Sequence, residues 1–146
     1  QVHGVTLDNR DVNIPTLLCS GRVKNMFKRF SLNGEYLEDI NLPGAFVSRA
    51  VVDDENIYSG VCFGMTKDRF IMTENLGFVT ILDANNKVIS NPGGEKPKYK
   101  KGQLQTMYQD KPIFKHCHDV CVDDDKNLYV CQWRANGAYP YKLHRI

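Results

Sequence analysis

One pattern recurs three times in this chain, and it restricts the fold more than any bulk property does. Near the C-terminus, His118-Asp119-Val120-Cys121-Val122-Asp123 is followed by the polar cluster Asp124-Asp125-Lys126-Asn127 and then by Leu128-Tyr129-Val130-Cys131-Gln132-Trp133. The first run alternates around Val120 and Val122, the second is β-branched and aromatic, and the link carries the Asp and Asn that turns favour, so the stretch reads as two strands and a tight turn. His3-Gly4-Val5-Thr6-Leu7-Asp8 repeats the first run as His-x-Val-x-aliphatic-Asp, and Ser48-Arg49-Ala50-Val51-Val52-Asp53 repeats it with Ser in place of His. By subtraction of their numbers, Asp8 and Asp53 are 45 residues apart and Asp53 and Asp123 are 70 apart. The longer spacing is one period plus an insertion of roughly 25 residues, and periods of this size mark a solenoid or a propeller.

The remaining strands are placed by the same periodicity. Second strands are predicted at Thr16–Ser20, Arg69–Thr73 and Leu128–Gln132, which puts Cys19, Met72 and Cys131 in one column of soft apolar residues, buried between sheets and chemically quiet. Third strands are predicted at Met26–Leu32, Phe78–Leu82 and Tyr139–Leu143, and fourth strands at Glu35–Leu42 and Lys87–Ser90; the third copy has none. Asn33-Gly34 is a strong hairpin signal, because type I′ turns need two positive φ angles, and Asn85-Asn86 takes the same place in the second copy. Ile57–Phe63 reads as an extra strand within an insertion, and Gln103–Tyr108 as a short helix in a segment that breaks the pattern. The expected fold class is therefore all-β, with antiparallel four-stranded sheets at about 2–44, 46–92 and 114–146 and an insertion at 93–113.

Composition narrows the class of function. A chain of 146 residues, 42% hydrophobic and 25% charged, can build an ordinary soluble core. A net charge of +2 gives no reason to expect nucleic acid, and the Lys96, Lys98, Lys100, Lys101 group reads as a solvated loop. No apolar run approaches the roughly 18 residues of a membrane helix. No secretory leader is visible and residue 1 is Gln, as in a mature, processed or truncated chain. Five cysteines leave at least one unpaired or bonded to another chain. Cys117 and Cys121 with His116 and His118 do not have zinc-finger spacing, Asp123-Asp124-Asp125 lacks the Gly and distal Glu of an EF-hand, and no nucleophile elbow, phosphate loop or His-Glu-x-x-His is present.

Strand, turn, strand, strand, Asn-Gly turn, strand describes a propeller blade, and the segments Val2 to Leu42, Ser48 to Ser90 and His118 to Ile146 resemble the NHL-repeat β-propellers. The last is the most specific, with Asp-Asp-Lys-Asn-Leu-Tyr-Val where that family has Asp-x-x-Gly-x-hydrophobic-Tyr-Val; it departs in having Asn127 and no Gly. The resemblance implies an incomplete ring: three blades, as in the C-terminal half of a six-bladed propeller or one half of a two-chain assembly. The isolated chain is then expected not to be stable as a monomer, and the remaining blades would come from the same precursor, a second chain or a homodimer.

In such a blade the first strand is innermost, so His3 and His118 are expected to face one channel mouth, with Ser48 in the third place and Arg49 beside it. The resemblance extends to the peptidyl-hydroxyglycine lyases of the same propeller group, which implies His3 and His118 as metal ligands and Arg49 as a carboxylate binder. Ser48 breaks a three-His set. Trp133 is a core residue or a ligand platform, and His116 and His144 have no repeat partners. Two functions are therefore expected. One is a binding or scaffold module holding a protein, peptide or glycan at the mouth through Ser48, Arg49 and Trp133. The other is a metal-dependent lyase or hydrolase using zinc or calcium at His3 and His118. Either is expected in an extracellular or periplasmic setting before a cytoplasmic one.

Overall fold

The computed structural model describes residues 2–65, 70–71, 76–133, 137 and 139–145. The fold is all-β, built of successive antiparallel sheets that do not close into a ring. Sheet one is a meander of β1 (Val2–Asp8), β2 (Thr16–Gly21), β3 (Met26–Ser31) and β4 (Tyr36–Asn41). Sheet two contains β5 (Val51–Val52) and β6 (Ile57–Val61); a small hairpin of β7 (Gly64–Met65) and β8 (Phe70–Ile71) then leaves it before β9 (Phe78–Leu82) and β10 (Val88–Ser90) return. A second hairpin, β11 (Tyr99–Lys100) with β12 (Gln103–Leu104), stands where the sequence suggested a helix: the left-handed pair Lys101 (φ 51) and Gly102 (φ 78) closes a two-residue hairpin turn. Sheet three is β13 (Cys117–Val122), β14 (Leu128–Gln132) and β15 (Tyr141–Leu143), without a fourth strand among the described residues.

The ladders place the three copies in one register. Leu7 pairs with Leu17, Val52 with Ile57, and Val122 with Leu128, each one residue before the repeated aspartate. Two expectations change as a result. The second strand of the middle sheet is Ile57–Val61; of the segment assigned to it, only Phe70 and Ile71 are among the described residues, and they form β8. Cys19 and Cys131 are also not equivalent, since Cys19 corresponds to Val130 and Cys131 to Ser20. A one-residue slip turns a side chain to the other face. Cys19 accordingly lies on the outer face of sheet one, half-buried, and Cys131 lies exposed on the outer face of sheet three. Met72, the third member of that column, falls outside the described residues.

Sheet two is covered on both faces, which is why every residue of β6 is buried. Leu18, Phe27, Leu42, Val47, Ile57, Val61, Phe78 and Leu82 form the core against sheet one. Tyr58, Val79, Phe114, Cys117, Val120, Leu128 and Val130 form the core against sheet three. Each fully buried aliphatic or aromatic side chain contributes about 1.5–3 kcal/mol. The outer face of sheet one instead presents Val5 and Leu7, both exposed, beside half-buried Leu17. The thiols divide accordingly: Cys62 and Cys117 are buried and burial pushes both pKa values up, whereas Cys121 and Cys131 are exposed. In the folded chain a thiol reagent is expected to label Cys121 and Cys131 promptly and to leave Cys62 and Cys117 unmodified until unfolding, as read by mass spectrometry of the digested protein. Labelling of all four at one rate would contradict this packing.

Candidate functional site

The repeated aspartates build the end of the molecule away from the site. Asp53 accepts hydrogen bonds from the Glu55 and Asn56 N–H groups and from the Tyr58 hydroxyl (2.8 Å), and Asp123 does the same for the Asn127 N–H and the Tyr129 hydroxyl (3.0 Å). Asp8 takes two guanidinium groups instead, from Arg10 and Arg29. These carboxylates pin the turn that follows each first strand, and so set where the other end of that strand lies.

At that other end the first strands converge. The His3 and His118 rings meet edge to face with centroids 5.2 Å apart, although they belong to sheets one and three. Two glycines permit it. A Cβ on Gly4 would stand 2.7 Å from the Arg49 Cβ, and one on Gly60 would stand 3.0 Å from backbone atoms of Cys117, His118 and Asp119. Without side chains there, the strand ends of sheets one and three approach the middle sheet closely enough for the rings to touch across it. Trp133, 45% exposed, lies 6.4 Å by ring centroid from His118 and 5.6 Å from His116. His116 itself is buried, its Nδ1 3.3 Å from the Cys62 carbonyl oxygen, and its own carbonyl accepts the Trp133 N–H. It is a support for the indole and not a ligand-facing group.

Two sequence-predicted residues are placed differently. Ser48 is buried; its carbonyl accepts the Ser20 hydroxyl (2.6 Å) and its own Oγ accepts from Arg22 Nη2 (2.9 Å), so it is a support beneath the mouth. Arg49 is exposed but its Nε is held by both carboxylate oxygens of Asp119 at 3.1 and 2.9 Å, so its charge is already compensated. The residue that sequence reasoning missed is Arg22. It follows β2 in a short 3-10 turn, Arg22–Lys24, closed by Asn25 in the left-handed region (φ 52), whose N–H donates to the Arg22 carbonyl. Gly21 pairs with Val2 in the ladder, which puts Arg22 beside the start of β1, and its guanidinium reaches from there to Ser48, the residue of the middle copy equivalent to His3 and His118. Its only sequence signal was its place directly after Gly21, the partner of Val2, which becomes visible once the register is known.

The electrostatics follow from this neighbourhood. Burial and then the Arg22 charge lower the pKa of both His3 and His118, with the His118 ring adding to the effect at His3 and the Asp119 carboxylate opposing it at both. Both imidazoles are therefore neutral at physiological pH, each with one N–H donor and one lone pair. Among the described residues no group of three or more His, Cys, Asp or Glu is arranged to hold a metal ion. Two imidazoles are an incomplete donor set, and the Arg22 charge beside them opposes a cation. What the arrangement can do is hydrogen-bond a polar group and stack an apolar one on Trp133. Away from this mouth, an apolar groove of about 340 Å³ runs between sheets two and three, lined by Tyr58, Ile81, Ile89, Leu128 and Leu143 with Lys126 at its edge. It is the gap beside β15, where sheet three has no fourth strand among the described residues.

Comparison with known proteins finds no family model that matches the chain, and no curated protein or solved structure with significant similarity to it. No helix among the described residues is long and apolar enough to cross a membrane.

Proposed function

We propose that the chain is an NHL-type β-propeller binding module that presents a ligand site at the mouth of a central channel. The observation that carries this reading is the meeting of His3 and His118, two equivalent repeat positions in different sheets, at 5.2 Å. Side chains that serve only their own strand have no reason to converge in this way. The half-exposed Trp133 and the Arg49–Asp119 pair flank them, as polar groups beside an aromatic platform do in small-ligand sites. The apolar outer face of sheet one and a third sheet with only three strands among the described residues support a complete ring made with further blades, from the same precursor, a second chain or a second copy. The ligand is a protein, peptide or glycan group small enough to enter the mouth, and the setting is extracellular or periplasmic.

A metal-dependent lyase or hydrolase using zinc or calcium is the second reading, favoured by the neutral state of the two imidazoles. It needs a third ligand from outside the described residues. His118→Ala separates the readings from a structural role. His118 is half-buried at a strand end, so the expected cost in stability is under about 1 kcal/mol. Ligand-induced quenching of Trp133 fluorescence should be abolished, and the metal content of the purified protein should not change. If His118→Ala unfolds the protein, or leaves ligand response intact, the binding site at this mouth is wrong. Stoichiometric metal that is lost in His118→Ala would establish the second reading instead.

A further inference from the structure

We propose that the mouth formed by His3, His118 and Arg22 recognises an oxyanion, a carboxylate or phosphate group carried on an apolar or aromatic body, with Arg22 as its charged donor. The inference rests on the binding-module reading and adds the chemical class of the ligand. It begins from the charges on the arginines. Arg10 and Arg29 share Asp8, and Arg49 is held by Asp119. Arg22 is 5% exposed, as buried as any of these, yet no carboxylate pairs with it among the described residues. Its two hydrogen-bond acceptors are neutral: the Val47 carbonyl oxygen takes Nε at 3.3 Å and the Ser48 hydroxyl takes Nη2 at 2.9 Å. A buried cation with only neutral partners is costly, and an anion bound beside it would offset that cost.

The surrounding groups fit that ligand. The repeat would put a third imidazole where Ser48 stands; a small hydroxyl there leaves room for the guanidinium to come in from sheet one and gives it an anchor. Anchored through Nε and Nη2, the guanidinium keeps Nη1, for which no acceptor is present among the described residues. His3 and His118, being neutral, each offer one ring N–H without adding repulsion or requiring a counter-ion. A guanidinium N–H with two imidazole N–H groups is a donor set for the two or three oxygens of a carboxylate or phosphate. Trp133 lies on the His118 side of the same mouth, where the apolar part of the ligand would rest.

The test is titration calorimetry on the folded protein with inorganic phosphate, acetate, phenylacetate and phenylacetamide, repeated with Arg22→Gln, Arg22→Lys and Lys24→Gln. At least one oxyanion is expected to bind. Phosphate tighter than acetate assigns a phosphate group; phenylacetate tighter than acetate assigns a carboxylate on an aromatic body, and phenylacetamide should bind far more weakly than phenylacetate. Loss of a charged hydrogen-bond donor should weaken binding roughly ten- to hundredfold in Arg22→Gln. Lys24→Gln removes an exposed charge two residues away and should change affinity by less than about twofold. If Arg22→Gln does not fold, Arg22→Lys decides: it keeps the charge without the planar fork and should bind several-fold more weakly than the parent. The inference is overturned by absence of oxyanion binding, by unchanged affinity in Arg22→Gln or Arg22→Lys, or by oxyanion binding only when zinc or calcium is added. Phenylacetamide binding as well as phenylacetate, with Trp133 quenched by both, would overturn the oxyanion and keep the ligand site. No response at the mouth to any of the four would overturn both.

Discussion

Asp8→Asn is expected to destabilise the fold by about 3–5 kcal/mol, the cost of leaving a buried charge without its partner. Asp8 is the buried centre of a cluster between sheets one and two. Arg10 donates to it from Nε and Nη2 at 2.9 and 2.8 Å, and Arg29 from Nη1 at 2.7 Å. The same guanidinium groups reach the β9–β10 turn, with Arg10 Nη1 on the Asp83 carbonyl and both arginines on the Asn86 side-chain oxygen. Without the carboxylate, Arg29 keeps Glu38 as an exposed counter-charge but Arg10 has none among the described residues, and two cations from sheet one are then left side by side at the interface with sheet two. Asp39→Asn removes a surface pair with Lys28 instead and should cost no more than about 1 kcal/mol. Urea unfolding of the two variants measures the difference; a loss below about 1 kcal/mol in Asp8→Asn would show that the cluster is not a structural anchor.

The same carboxylates set the acid limit. Burial would raise the Asp8 pKa, but the hydrogen bonds from Arg10 and Arg29 outweigh it and hold the carboxyl at about 2. Asp53, likewise opposed by burial, is held at about 2 by Lys126, the N–H groups of Asn56 and Glu55, and the Tyr58 hydroxyl. A folded-state pKa below the unfolded one stabilises the protein at higher pH. That contribution is complete above the unfolded value near pH 4 and is lost as pH falls through about 2. The stability of Asp8→Asn should therefore fall less steeply with pH in that window than the parent's.

Gly60→Val is the second large effect, and it should damage stability and the site together. Three backbone atoms of β13 lie 3.0 Å from where a Cβ would stand, and none is a flexible side-chain end that could swing away. A branched side chain there forces sheets two and three apart, at an expected cost of about 3 kcal/mol or more. The displaced strand carries His118, so ligand response at the mouth should fall even in conditions where the variant remains folded. By contrast, Gly34→Ala meets no atom within 4 Å but sits at φ +85, so it should show a smaller cost from backbone strain alone and full ligand response. Equal effects of the two on the site would mean that sheet separation does not control it.

Much of this architecture was legible in the residues. Alternating aliphatics ending in Asp8, Asp53 and Asp123 announce the first strands because period-2 burial and a turn-forming Asp leave few other readings. The hairpins β3–β4 and β13–β14 were equally plain, although the Asn33-Gly34 link has one positive φ, at Gly34 (φ 85), and is not the type I′ turn expected from those residues. The middle sheet was harder, because Asn56-Ile57-Tyr58 follows Asp53 after a turn one residue shorter than the one before Asn127-Leu128-Tyr129. Aligning the two Asn-aliphatic-Tyr triplets would have found β6 and moved the insertion to its far side. The long Asn9–Pro15 link hides the register of β2 in the same way, so the sequence alone aligns Cys19 with Cys131. At the site, the repeat placed His3 and His118 at equivalent strand ends. It could not show that Arg49 is claimed by Asp119, a partner in another copy, or that Arg22, which no other copy possesses, enters the place left by Ser48.

The most direct measurement of the central claim is the through-space NMR contact between the imidazole rings of His3 and His118 in the folded protein. Edge-to-face rings at 5.2 Å place ring protons of one histidine against the other, so cross-peaks between them are expected, and both rings should shift together when ligand is added. Assigned ring signals with no mutual contact, in a protein whose Val120 and Tyr58 contacts show that sheets two and three are packed, would contradict a shared site at this mouth.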